Sequence, residues 1–285
     1  MRRPLLATGL AALCMAVGVP AHAWAGTSGA ATSSVTTAPV VVNMEATVLA
    51  AQIDPRRADH TLTPGAKDSV LAVEQALEDL NLLDPQWVDG YFGTTTIAAY
   101  AAYQSSLGYS GLAANGLPGV TSLTKLGHNR FTVSNTIGPG AKVQRSGYVV
   151  DARTQAMLTA AERLLGYPLT LEQGSYNPGG DPTSAGTHDG GGVVDISVAG
   201  MTAAKRTAVA RALRQVGFAA WVRDPSQGDW PWHIHAAAIS DTDLSSQAQH
   251  QTGDYYLGLN GLANRGADDG PKVPIRTWEQ YQRGH

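Results

Sequence analysis

A single cysteine, Cys14, stands in the whole chain, inside the apolar run LLATGLAALCMAVGV close to its start. Arg2 and Arg3 precede the run, and small residues in AHA or AWA offer cleavage after Ala23 or Ala25. Residues 1–25 therefore read as a secretory signal peptide. The run is too short and too poorly flanked for a membrane anchor, and Leu13 before Cys14 argues against lipid attachment at the cysteine. Without the signal the chain has no thiol. No disulfide can staple it, and any metal must be held by His, Asp or Glu rather than thiolate. Such an exported chain must stand on its hydrophobic core, on a metal, or on both. At 285 residues it is long enough to bury that core.

Charge narrows the partners. The 20 Lys and Arg against 23 Asp and Glu give −3, and −5 once Arg2 and Arg3 leave with the signal. No basic stripe of the kind that tracks phosphates is present, so nucleic acid is not an expected partner. The expectation is a secreted monomer without a membrane anchor.

Residues 26–65 are rich in Ser, Thr, Ala and Pro without a sustained period and read mostly as a linker. The piece VVVNMEATVLA within them leaves strand and helix both open. From Asp68 the pattern becomes helical: Val70, Val73, Leu77 and Leu80 fall at helical spacing, with Asp68 or Ser69 able to cap the start. DGYFGTTTIAAYAAYQSSLG gives a turn and a second helix with Ile97, Tyr100 and Tyr103 inward, and GVTSLTKLG a third begun by Thr121. A three-helix bundle over residues 66–130 is expected, followed by a second linker near NRFTVSNTIGPGAK.

Residues 140–285 then mix both periods. DARTQAMLTAAERLLG and TAAKRTAVARALRQVG read as helices; PLTLEQGSY, GVVDISV, FAAWVRD and WHIHAAAI read as strands. The fold class expected is α+β: a small helical bundle followed by an α+β domain with a mostly antiparallel sheet. The end of the chain is loop-rich and expected to wrap that domain.

Two stretches carry chemistry. In SAGTHDGGGVVDIS, His188 and Asp195 flank Gly190, Gly191 and Gly192, either for a tight turn or to let the backbone pass close to something both side chains hold. In DWPWHIHAAAI, a strand would place His233 and His235 on one face and Trp232 and Ile234 on the other. Taken alone, the histidines fit a hydrogen-bonded structural pair equally well. Taken together, two imidazoles and a carboxylate with one open position describe a catalytic zinc site that needs no cysteine.

SAGTHDGGGVVD resembles the H-x6-D element of the zinc D-Ala-D-Ala metallopeptidases, and HIH is similar to their H-x-H element, over roughly residues 140–245. The resemblance implies a carboxypeptidase or endopeptidase acting on peptidoglycan peptides, with His188, Asp195 and His235 as zinc ligands and His233 as a helper beside them. Many members carry Glu or Asp three residues before the last ligand as general acid and base; here that residue is Trp232. Asp229 in the preceding loop and His233 are the candidate proton carriers, and a site that holds zinc and wall peptide without turnover is the remaining reading. Where members place an upstream Arg, LEQGSYN has Gln173, a neutral donor. Gln173, Tyr176 and Ser184 are the candidate substrate-binding residues.

Residues 68–127 resemble the three-helix peptidoglycan-binding domain often joined to wall hydrolases. Glu74 and Leu77 stand at its Q-x-x-L element, Asp89, Gly90, Phe92, Gly93 and Thr96 at its D-G-x-F-G-x-x-T element, and Tyr103 with Gln104 at its aromatic–Gln pair. The two resemblances imply an exported zinc peptidase held on peptidoglycan by its helical module. The alternative is a non-catalytic peptidoglycan-binding protein with a degenerate peptidase domain.

Overall fold

Apolar residues within the two expected linkers find each other and open the fold. In the computed structural model, which describes residues 40–284, strand β1 (Val40–Asn43) runs parallel to β2 (Phe131–Ser134). The expected signal peptide and residues 26–39 lie outside the described residues. Asn43 then caps helix α1 (Met44–Ile53) by accepting from the Ala46 amide at 3.2 Å. Residues 40–56 are thus not linker. Helix α1 is buried on nearly every side, through Met44, Val48, Ala50, Ala51 and Ile53 and also Glu45, Thr47 and Gln52, and a helix buried all round has no amphipathic stripe to read.

The three expected helices are present as α2 (Lys67–Asp79), α3 (Thr94–Ser106) and α4 (Val120–Leu126). Val70, Val73 and Leu77 are buried as expected, whereas Leu80 falls past the end of α2 and is exposed. Neither Asp68 nor Ser69 caps that helix, which begins after Ala66 without a side-chain cap. Instead the Ser69 hydroxyl accepts the Asn43 amide at 3.0 Å, tying α2 to β1. Helix α4 starts after Gly119, one residue before Thr121. Tyr100 and Tyr103 point inward as expected.

A hairpin that sequence reasoning missed, β3 (Lys142–Arg145) and β4 (Tyr148–Asp151), leads into α5 (Ala152–Leu165), capped by Asp151. Then follow β5 (Leu171–Gln173), β6 (Val193–Ser197), α6 (Ala203–Gln215), β7 (Phe218–Arg223), β8 (His233–Ala238), α7 (Ser246–Tyr256) and α8 (Trp278–Gln282). The last four strands form one antiparallel sheet in the order β5-β6-β8-β7. The architecture is α+β, with helices in the N-terminal half and this sheet later.

Alternation gives the sheet two unlike faces. Val194, Ile196, Phe218, Ala220, Ile234, Ala236 and Ala238 pack against Met157 and Leu158 of α5 and Val209 and Leu213 of α6. On the opposite face, Val193 and Ala237 join Leu244 and Ala248 in the core of the N-terminal helices. The helical half and the sheet half therefore share apolar burial, each fully buried Val or Leu side chain stabilising by about 1.5–3 kcal/mol. Polar contacts reinforce the junction. Gln52 of α1 accepts the Ser240 amide at 3.0 Å, and Asn115 donates to the carbonyls of Thr242 and Leu244 at 3.0 and 3.2 Å.

Candidate metal centre

The register of the sheet assembles one row of side chains across all four strands. Gln173 pairs with Asp195, Asp195 with His235, and His235 with Trp221, all on the face turned away from α5 and α6. The next row brings Ser197, His233 and Arg223 to the same face. His188 comes from outside the sheet, on a 3-10 turn at Thr187–Asp189.

The glycines after that turn explain its position. A Cβ on Gly190 would lie 2.3 Å from the Asp243 carbonyl and 2.4 Å from the Ser245 amide. Gly192 combines a left-handed φ of +73° with 2.9 Å to the Asp241 Cβ, a conformation that disfavours any side chain. The run is thus pressed against the 241–245 segment. Of the two readings of these glycines, the tight turn holds: they let His188 fold back toward Asp195.

The three expected ligands converge. One donor atom each from His188, Asp195 and His235 lie within 4.8 Å of one another. His188 Nδ1 donates to the Gly174 carbonyl at 2.8 Å, and its Nε2 lies 3.2 Å from Asp195 Oδ2. His235 is arranged the other way round: Nε2 lies 2.8 Å from Gln251 Oε1, and Nδ1 is hydrogen-bonded to Asp195 Oδ1 at 2.8 Å. His188 Nε2 is buried and finds no hydrogen-bond partner among the described residues. Two imidazole nitrogens and a carboxylate thus face one another around a point that a shared proton or a metal ion can occupy. Outward N–H groups fixed on carbonyl oxygens are also what orients histidines for metal ligation. The donor set fits a divalent ion.

Electrostatics agree with that geometry. Burial alone pushes the Asp195 carboxyl up, but His188 and His235 outweigh it and hold Asp195 well below the ordinary range. Burial likewise lowers His188, yet the Asp195 carboxylate prevails and leaves that ring above its usual value. For His235 burial wins, and its pKa falls.

The triad opens on a cleft of about 530 Å³. Gln173 and Ser184 line it, hydrogen-bonded to each other at 3.0 Å. His233 also lines it, with Nδ1 donating to the Pro231 carbonyl at 2.8 Å and Nε2 turned toward Asp195 Oδ1 at 3.9 Å. Two expected residues are elsewhere. Asp229 is exposed and not in the cleft wall. Tyr176 gives its hydroxyl to Asp243 at 2.8 Å and lies under Lys142, bracing the glycine run from behind. Trp232 is 44% exposed on the far side of the sheet, with the Arg206 guanidinium 4.3 Å over its ring.

Sequence reasoning missed Gln251 and Arg223. Gln251 faces the cleft from α7 with Gln247 and Asp254, while Ala248, Thr252 and Tyr255 bury the opposite stripe. Polar residues fill α7, so no apolar period marked it. Arg223 had a signal: alternation in FAAWVR sets it two residues from Trp221, on the histidine face. Comparison of the chain with models of known protein families, with curated proteins and with solved structures finds no match to any.

Proposed function

We propose that this protein is an exported zinc-dependent peptidase that hydrolyses peptidoglycan stem peptides and is held on the wall by its N-terminal helices. The observation that carries the reading is the meeting of His188, Asp195 and His235 at the floor of an open cleft. His188, Asp195 and His235 would hold the ion; Gly174 and Gln251 fix the two rings for it. When bound, zinc supplies Lewis acidity toward a carbonyl and acidifies water.

The protein's own groups supply the rest. His233 Nδ1 is committed to the Pro231 carbonyl, so Nε2 is the ring nitrogen that faces the cleft. It takes a proton from the attacking water and returns it to the leaving amine. Asp229, outside the wall, is not assigned that task. Gln173 and Ser184 offer neutral hydrogen bonds to the peptide backbone.

The test combines metal analysis with mass spectrometry of digested muropeptides. Zinc-loaded protein is expected to release D-Ala or open a cross-link. His233→Ala and Asp229→Asn should both keep zinc, with turnover falling by about 10²-fold or more only in the first. Zinc at full stoichiometry with no cleaved product would favour the second reading, a wall-binding protein without turnover. Position 232 carries Trp rather than a carboxylate and faces away from the cleft, which motivates that alternative.

A further inference from the structure

Arg223 closes β7 opposite His233, on the face that carries Asp195 and His235. Its side chain lines the cleft and is only 2% exposed, yet among the described residues neither terminal nitrogen has a hydrogen-bond acceptor. Two other buried arginines differ: Arg153 grips Glu279 and Arg214 grips Asp268, each through two nitrogens. The Trp221 indole supports the Arg223 guanidinium from 4.8 Å. Burial draws its pKa down to about 10, so it remains a cation at neutral pH. Three acids act on it through charge alone: Asp269 makes no hydrogen bond to its terminal nitrogens, Asp268 is held by Arg214 and Lys272, and Asp195 is engaged by His188 and His235. A buried guanidinium without an acceptor is costly until an anion completes it, and its planar fork matches a carboxylate with two parallel hydrogen bonds.

We infer that Arg223 recognises the carboxylate of a peptide seated in the cleft, so that the preferred substrates are peptides ending in a free α-carboxylate next to the bond that is cut. This rests on the peptidase reading and makes the enzyme a carboxypeptidase rather than an endopeptidase. Gln173, at the far edge of the same sheet, is neutral; the cationic contact comes from β7.

Titration of the zinc-loaded protein, followed by nuclear magnetic resonance, tests this with acetylated L-Lys-D-Ala-D-Ala as the free acid and as its C-terminal amide. Shifts report binding, and released D-Ala or D-alaninamide reports hydrolysis. The acid is expected to bind at least about tenfold more tightly. Arg223→Gln should erase that preference with zinc stoichiometry unchanged, and Arg223→Lys should retain part of it. Equal binding of acid and amide, binding of neither, or an undiminished preference in Arg223→Gln overturns the assignment. If the variants do not fold, the acid–amide comparison in the unaltered protein decides alone. A preference for the acid without any hydrolysis keeps the role of Arg223 and sinks the peptidase; amide cleaved as readily as acid does the reverse.

Discussion

Glu74 in the helical half and Asp195 in the sheet half are both carboxylates withdrawn from water, and they respond in opposite directions. Glu74 is fully buried and accepts from the amides of Asp89 and Gly90 at 3.1 and 2.8 Å and from the Thr96 hydroxyl at 3.0 Å. These donors are neutral, so burial dominates and its pKa is pushed up to about 7. Asp195 faces two imidazoles that can carry charge, and they hold it low against the same burial. In the helical half, the motif residues satisfy one another: Glu74, Asp89, Gly90 and Thr96 close a turn and leave nothing over. In the sheet half, two imidazoles converge on one carboxylate, and His188 Nε2 is left without a hydrogen-bond partner among the described residues. A motif that consumes its own polar groups is structural; one left short of a cation is where a ligand enters.

The largest effect would come from breaking the two halves apart. Deleting residues 68–127 removes the apolar partners of Leu244, Ala248, Val193 and Ala237. The expected outcome is loss of a cooperative thermal transition by circular dichroism, not merely loss of wall binding. A sharp melt with zinc retained would mean that the sheet half stands alone. Next in size is His188→Ala. It removes one of three ligands while leaving the helical half untouched, and zinc affinity should drop by more than the roughly 10–100-fold typical of an outer partner. Metal analysis after dialysis against a weak chelator measures it.

How far the two halves could be read from the sequence differs for physical reasons. The amphipathic helices and alternating strands announce themselves because one side of each meets water and the other does not. Helix α1, buried all round, and α7, whose buried stripe itself carries Gln249 and Thr252, lack that contrast. The pairing of β1 with β2 is invisible because it joins segments about 90 residues apart in a parallel ladder that no turn signals. At the site, alternation places His233 and His235 on one strand face, and the choice of His188, Asp195 and His235 as ligands is implied by the resemblance of the two motifs to the zinc metallopeptidases. Gln251 was not legible, because its value lies only in where α7 docks. Tyr176 and Asp229 were misplaced because proximity in sequence to Gln173 and His233 does not carry a side chain into the cleft.

Gln251 gives the third prediction. Its carbonyl oxygen fixes the ring of His235 so that Nδ1 faces Asp195. Gln251→Leu leaves all three ligands in place but frees the tautomer, and zinc should bind about 10–100-fold more weakly. Affinity unchanged by competition with a fluorescent chelator would mean that the strand register alone holds the ring.

The smallest effect belongs to the helical half and has the opposite sign. Glu74 has a pKa of about 7 in the folded protein against an ordinary 4.5, so the folded state prefers the protonated acid. Its contribution to stability is complete below pH 4.5 and declines as the pH rises through 7, by up to about 3 kcal/mol for a shift of this size. Glu74→Gln keeps an oxygen for the Asp89 and Gly90 amides and offers an N–H to the Thr96 hydroxyl, without a charge to desolvate. At pH 8 the variant should be more stable than the parent by about 1–2 kcal/mol, less than the full shift because the amide fits the three donors less well than the acid. At pH 5 the gain should vanish. Urea unfolding at both pH values measures the difference. A variant less stable at pH 8 would mean that the ionised carboxylate, held by its two backbone amides, is the form this turn requires, and the two carboxylates would then differ in degree rather than in kind.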